Sequence, residues 1–197
     1  MPNPPVQEKS STEASSKEAS EGPRGLVLIF TGNGKGKTSA ALGTLLRALG
    51  YGHRCLLVQF IKENGRSGEH VSLKRLAPDV EVATLGRGFV GIMGDKLPRE
   101  EHERAAQKAL DFAKEKISSG EYFLVILDEV LVALKLKLIT LEGVFEMLQA
   151  RPRDVTVILT GRGAPPELIE YADTVTEMTE IKHAFQRGTP ALRGVDF

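Results

Sequence analysis

Leu26-Val27-Leu28-Ile29-Phe30-Thr31-Gly32-Asn33-Gly34-Lys35-Gly36-Lys37-Thr38-Ser39 runs from five apolar residues into a glycine-rich turn, and from there into an Ala- and Leu-rich stretch that ends at Leu49. A short unbroken apolar run reads as a strand buried on both faces, as in a parallel sheet. Lys37 to Leu49 reads as a helix, with Gly50 and Gly52 as stop signals. Between the two, the glycines let the backbone curl so that successive N–H groups face inward. The start of the helix adds unpaired N–H groups and a partial positive charge. Such a turn holds phosphate.

The spacing supports that reading. Gly36-Lys37-Thr38 matches the later half of the nucleoside-triphosphate loop, in which the lysine neutralises the outer phosphates and the threonine hydroxyl sits on Mg²⁺. The consensus places its first glycine five positions before Gly36; that position is Thr31, and Gly32 lies one place later. The alternative is a ligand-free glycine turn, which has no need of two lysines and a threonine in this order. The binding set read from the sequence is Gly32, Asn33, Gly34, Lys35, Gly36, Lys37, Thr38 and Ser39.

Working outward, residues 55–61, 81–85, 123–127, 155–160 and 174–176 read as further strands, and 68–76, 98–118, 141–148 and 166–171 as helices. Buried strands alternating with helices predict an α/β fold, a mostly parallel sheet flanked by helices, P-loop NTPase-like and RecA-like. The run 123–127 ends in Asp128-Glu129. Parallel sheets put ligand chemistry at the carboxyl ends of their strands, on the edge that holds the phosphate loop. Asp128 is placed to bind Mg²⁺ directly or through water, and Glu129 to ligate the metal or to activate a water. Two solvated acids at a strand end are the plain alternative.

The 197-residue chain favours a single domain with a sizeable core. Its formal net charge is zero, so no electrostatic argument exists for nucleic acid or an acidic membrane as partner. The one cysteine, Cys55, excludes an intramolecular disulfide and reads as a small core residue. No apolar run approaches the roughly 20 residues that span a bilayer, and the N-terminus lacks the pattern of a secretory signal. The expectation is a cytoplasmic protein. Residues 1–24 are rich in Ser, Glu, Lys and Pro and are expected to form a mobile tail. Residues 25–197 form the expected nucleotide-binding catalytic domain.

Together these motifs resemble the bacterial ATP:corrinoid adenosyltransferases, the cob(I)alamin adenosyltransferases of phosphate-loop type. Four segments carry the resemblance: Thr31 to Thr38; Gly86-Arg87-Gly88-Phe89; Leu127-Asp128-Glu129 with Ala133-Leu134; and Leu159-Thr160-Gly161-Arg162-Gly163 with the tail Ile181-Lys182-His183-Ala184-Phe185 and Arg193-Gly194-Val195-Asp196-Phe197. The loop and the Lys-His-Ala-Phe tail are the most specific. The resemblance implies transfer of the 5′-deoxyadenosyl group of ATP, the co-substrate, to Co(I) of a cobalamin or cobinamide, with release of triphosphate. It implies Mg²⁺ or Mn²⁺, held by Thr38, Asp128 and Glu129, and catalytic roles for Lys37, Glu129 and Phe89. It implies phosphate or metal contacts for Asn33, Lys35, Lys37 and Thr38, and nucleotide contacts for Arg47 and Arg162. Arg47 has a surface-helix alternative, Arg162 a turn alternative, and Phe89, the aromatic wedge beside the corrin, a core alternative. His183 reads as a packed tail histidine. A homodimer and a flavoprotein reductant are further implied partners.

Two departures stand out. The family reads Gly-Phe-Thr-Trp or similar where this chain has Gly88-Phe89-Val90-Gly91, and polar or aromatic residues where it has Val130-Leu131-Val132. The nucleotide half of the site is therefore expected intact and the corrinoid half altered. A small P-loop ATPase or kinase, and a non-catalytic ATP- or corrinoid-binding relative, remain as alternatives.

Overall fold

The computed structural model describes residues 24–63, 67–92 and 94–195. Apart from Arg24, the expected N-terminal tail lies outside these residues, as do Asp196 and Phe197. The strands are β1 Val27–Thr31, β2 Cys55–Gln59, β3 Val80–Thr84, β4 Leu124–Asp128, β5 Thr156–Thr160 and β6 Thr174–Glu177. The helices are α1 Lys37–Leu49, α2 Gly68–Lys74, α3 Arg99–Ser118, α4 Val130–Lys135, α5 Leu141–Gln149 and α6 Pro166–Tyr171, with a 3-10 turn at Ala184–Arg187. The strands form one sheet in the order β3-β2-β4-β5-β1-β6. Every neighbouring pair is parallel, so the sheet expected to be mostly parallel is entirely so.

The apolar runs explain the layers. Successive side chains along a strand point to opposite faces. Ile29, Leu56, Val58, Val125, Leu127, Val157 and Leu159 fall into one cluster, with Ala109, Ala113 and Ile117 of α3 and Val144 and Leu148 of α5. Phe30, Cys55, Leu57, Leu124, Ile126 and Ile158 fall into the other, with Ala41, Leu45 and Ala48 of α1. Two neighbouring interior strands, β2 and β4, are buried at all five positions, so neither face leaves room for alternation with exposed polar residues. Leu45 is completely buried, and Leu45→Ala would cost about 2–5 kcal/mol through lost burial and a cavity. Cys55 is buried in the second cluster as expected, and burial, with Asp79 nearby, pushes its thiol up to about 11. Among the described residues no helix is long and apolar enough to cross a membrane.

Three details differ from the sequence reading. Pro98 caps α3 from outside instead of standing in its first turn. Residues 130–135 form the helix α4, which the sequence reading left out. Its start is unusual, because the residue before it, Glu129, holds a left-handed backbone with φ 61°. His183 is half-buried and does more than pack: its Nδ1 accepts a hydrogen bond from the Phe185 N–H at 3.1 Å and caps the 3-10 turn.

The strand order positions the site. β5 lies between β1, which leads into the glycine loop, and β4, which ends in the acids. The carboxyl ends of all three meet on one edge of the sheet, where open α/β sheets bind ligands.

Candidate nucleotide site

The glycine loop leaves β1 one residue later than the consensus, and the geometry explains the shift. Thr31 is still in the strand, and its buried hydroxyl accepts from the Ala164 N–H at 3.3 Å. The turn begins at Gly32, with φ 92°; a Cβ there would lie 2.4 Å from the Met178 carbonyl oxygen. Only glycine fits both the dihedral and the approach. The Gly34 N–H then donates to the same Met178 carbonyl at 2.7 Å. The chain just after β6 thus braces the loop from outside.

Lys37 opens α1 and is buried. Its Nζ donates to the Gly32 carbonyl at 2.8 Å and to the Gly34 carbonyl at 2.7 Å. An ammonium has three donors, so one N–H is left for a phosphate oxygen. Burial, and secondarily the neighbouring Arg162, hold the Lys37 pKa below the ordinary lysine range, against the opposing pull of Glu129. A group under that penalty gains from an incoming polyanion.

Asp128, at the end of β4, is completely buried. Its Oδ1 accepts from the Thr38 hydroxyl at 2.7 Å and the Thr160 hydroxyl at 2.9 Å. Its Oδ2 accepts from Gln59 Nε2 at 3.2 Å and pairs with Lys62 Nζ at 3.3 Å. Burial pulls the Lys62 pKa down, but Asp128 and Glu69 outweigh it and leave it raised. With four donors around it, Asp128 suits a role at one remove from a metal, through Thr38 or water. Glu129 is half-buried, and burial followed by the charge of Asp128 raises its pKa above the ordinary carboxylate range, although Lys37, Lys62 and Arg162 oppose the shift.

Arg162 lies in the turn after β5, exposed, and is electrostatically coupled to both Lys37 and Glu129. Asn33, Lys35 and Ser39 are exposed on or beside the loop. Arg47 is not brought into this cluster. It is exposed in the last turn of α1, ten residues from Lys37, about 15 Å along the helix axis. Phe89 is 56% exposed, which removes the core alternative. Gly91 has φ 68° and its N–H donates to Asp95 Oδ2 at 2.8 Å. Asp95 Oδ1 accepts from the Leu97 N–H at 3.0 Å, and Oδ2 meets the buried His102 at 2.9 Å. The segment that departs from the family pattern is therefore a turn folded around Asp95, with a backbone at Gly91 that side chains rarely adopt.

Sequence reasoning missed Gln59, Lys62 and Thr160. Gln59 carried a signal, being a polar residue inside an otherwise apolar strand. It extends the site: its Oε1 accepts from the Thr84 hydroxyl at 3.0 Å and meets the buried His70. Thr160 carried none beyond its place in the resembling Leu159-to-Gly163 segment, since a threonine at a strand end is ordinary.

A curled loop, a helix start, a buried lysine and an acid strand on one edge of a parallel sheet define a P-loop nucleotide-binding protein. The profile of the ATP:corrinoid adenosyltransferases BtuR/CobO/CobP matches residues 23–197, and the chain belongs to that enzyme family. The corrinoid adenosyltransferase of Pseudomonas aeruginosa is 42% identical over 174 residues, covering 88% of this chain and 84% of that one. The corrinoid adenosyltransferase of Escherichia coli K12 is 39% identical, covering 88% and 86%. The corrinoid adenosyltransferase CobA of Salmonella typhimurium is 38% identical, with the same coverage. Among solved structures, a KaiC-like protein of Pyrococcus horikoshii OT3 aligns over 82% of this chain and 76% of its own, with a TM-score of 0.47 and 17% identity.

Proposed function

We propose that this chain moves the 5′-deoxyadenosyl group of ATP onto the Co(I) of a corrinoid and releases the triphosphate whole. A Co–C bond forms at the ribose C5′ while the C5′–O bond breaks, and the triphosphate leaves with the electron pair. Catalysis then amounts to stabilising charge on the departing group. The observation that carries this reading is the Lys37 ammonium, held by two loop carbonyls with one donor to spare. The backbone N–H groups of Asn33, Lys35, Gly36 and Lys37 and the exposed Arg162 complete the grip, while the Gly34 N–H holds the loop to Met178.

Mg²⁺, or Mn²⁺, fits the donor set. Asp128 and Glu129 are consecutive carboxylates, and burial first, then the charge of Asp128, raises the Glu129 pKa, a penalty on its ionised form that a cation would relieve. Thr38 Oγ1 and Glu129 would hold the ion, with Asp128 behind them. A magnesium ion takes its other ligands from phosphate and water. Such an ion would neutralise charge on the triphosphate.

Phe89, exposed in the segment after β3, serves as the aromatic wedge against the corrin face. Arg47 contacts the nucleotide only if the ligand reaches along α1. Residues 25–197 act as one catalytic domain with residues 1–24 as a separate tail, the protein works in the cytoplasm as a homodimer, and a reduced flavoprotein supplies the electrons for Co(I). The test is to incubate the protein with ATP, Mg²⁺ and chemically reduced cobalamin. Growth of the adenosylated corrinoid spectrum with stoichiometric triphosphate supports the reading; ADP and phosphate would replace it with an ordinary ATPase.

A further inference from the structure

A cavity of about 440 Å³ opens on the same sheet edge, between the ends of β2 and β3 and the first half of α3. Glu63, Gly86, Arg87, Glu101, Arg104 and Lys108 line it, together with Thr84. Its wall is joined to the site already described. The Thr84 hydroxyl donates to Gln59 Oε1, and Gln59 Nε2 donates to Asp128 Oδ2. Arg87 is also two positions from Phe89 in the loop that faces the corrinoid in the proposed reaction.

The charges are unequal. Arg104 is neutralised by Glu101 one turn earlier on α3. Arg87 and Lys108 make no ion pair with a described residue, and both are exposed; with Glu63 on the same wall, the recess carries one cation in excess of its carboxylates. The first comes from the loop after β3 and the second from α3, so two independent elements bring unspent cations to one recess.

We infer that Arg87 and Lys108 form an anion subsite that receives a negatively charged peripheral group of the corrinoid, a carboxylate or a phosphodiester, and so make the enzyme prefer acid-bearing corrinoids. The inference rests on the adenosyl-transfer reading. Arg87 offers a planar fork suited to an oxyanion, and Lys108 a point charge. The subsite sets specificity and takes no part in the chemical step.

Three corrinoids separate the cases: cobinamide, whose side chains are amides; cobyrinic acid a,c-diamide, which keeps carboxylates; and cobalamin, which carries a phosphodiester. Equilibrium binding of each, followed by its visible spectrum, is compared for the full chain and for Arg87→Gln/Lys108→Gln. KM for adenosylation is measured alongside. In the wild type the acid-bearing compound, the phosphodiester compound or both should bind about tenfold more tightly than cobinamide, and added salt should shrink that preference. In the double variant the ratio should collapse toward one, and which ratio collapses identifies the group. Ratios that the substitutions leave in place overturn the subsite while the transfer reading stands. Failure of the wild type to adenosylate any of the three overturns the transfer reading, and the subsite with it.

Discussion

Thr38 and Asp128 stand 90 positions apart in the chain and meet through a 2.7 Å hydrogen bond. The bond ties the first turn of α1 to the end of β4. It forms across β5, whose Thr160 donates to the same carboxylate oxygen. Inserting β5 between the loop strand and the acid strand thus supplies a hydroxyl that fixes the acid, and that hydroxyl also accepts from the Glu129 N–H at 3.0 Å. Topology and site chemistry are linked at this one side chain.

Asp128→Asn keeps the size of the side chain and replaces one acceptor oxygen with a donor. That donor must then face either the two threonine hydroxyls or Gln59 and Lys62. The threonines can rotate, and Lys62 can fall back on Glu69, 2.7 Å away. The expected loss of stability is therefore moderate, about 2–3 kcal/mol. A urea melt reads it as a lower midpoint at constant slope, and a midpoint equal to the wild type's would show that the four contacts contribute little.

The fold was legible because four of the strands, β1, β2, β4 and β5, sit in the interior of a parallel sheet. Runs such as Leu124–Leu127 have no polar face to confuse the pattern, and glycines bound them. The loop was legible for a different reason: Gly36, Lys37 and Thr38 act through local backbone geometry, which spacing encodes. Lys62 and Thr160 were not legible, because their roles depend on β2, β4 and β5 lying side by side, and only long-range pairing sets that order. Helix α4 was hidden for a similar reason. It starts from a left-handed glutamate, a conformation that no sequence signal for that residue announces.

Lys37→Ala should reduce triphosphate release by about 10²–10³-fold, as does loss of a preorganised transition-state donor elsewhere. Stability should change little, because the substitution also removes a desolvated charge. Single-turnover assay with reduced cobalamin and a thermal melt check the two halves. Normal turnover in the variant would remove the loop lysine from the mechanism.

The affinity for Mg·ATP should follow a bell in pH. Glu129 must be ionised to hold the cation, and its pKa is raised, so the acid limb lies above the ordinary carboxylate range. Lys37 must be protonated to meet phosphate, and its pKa is lowered, so the alkaline limb begins below the ordinary lysine range. Isothermal titration across pH measures both. In Glu129→Gln the acid limb should disappear while the alkaline limb stays; an acid limb that persists unchanged assigns it to another group.

The same carboxylate should cost stability. Because the folded state raises its pKa, ionisation opposes folding: the penalty is absent below the unfolded-state pKa, grows as pH rises toward the folded-state value, and is complete above it. Glu129→Gln should therefore melt a few degrees higher than the wild type at neutral pH, and the two should converge in acid. Adding excess Mg·ATP should reverse the order at neutral pH, since only the wild type gains the full binding energy. A variant that melts lower at every pH would mean that the attraction of Lys37, Lys62 and Arg162 outweighs burial.

Phe89 tests the corrinoid half of the site separately from the nucleotide half. It is exposed, so Phe89→Ala should leave stability within about 0.5 kcal/mol of the wild type. It lies in the Gly88-to-Leu97 segment that Asp95 folds around itself, outside the hydrogen-bond cluster of Lys37, Thr38 and Asp128, so ATP affinity should also hold. What should fall is the four-coordinate Co(II) signal of the bound corrinoid, and with it the rate of transfer. With Gly91 where the family carries tryptophan, Phe89 is the one aromatic side chain between Gly86 and Leu97, so no neighbouring ring can compensate. Electron paramagnetic resonance of the Co(II) corrinoid with ATP reads the signal, and titration calorimetry reads ATP. Equal losses in both would place Phe89 in the scaffold of the loop instead of against the corrin.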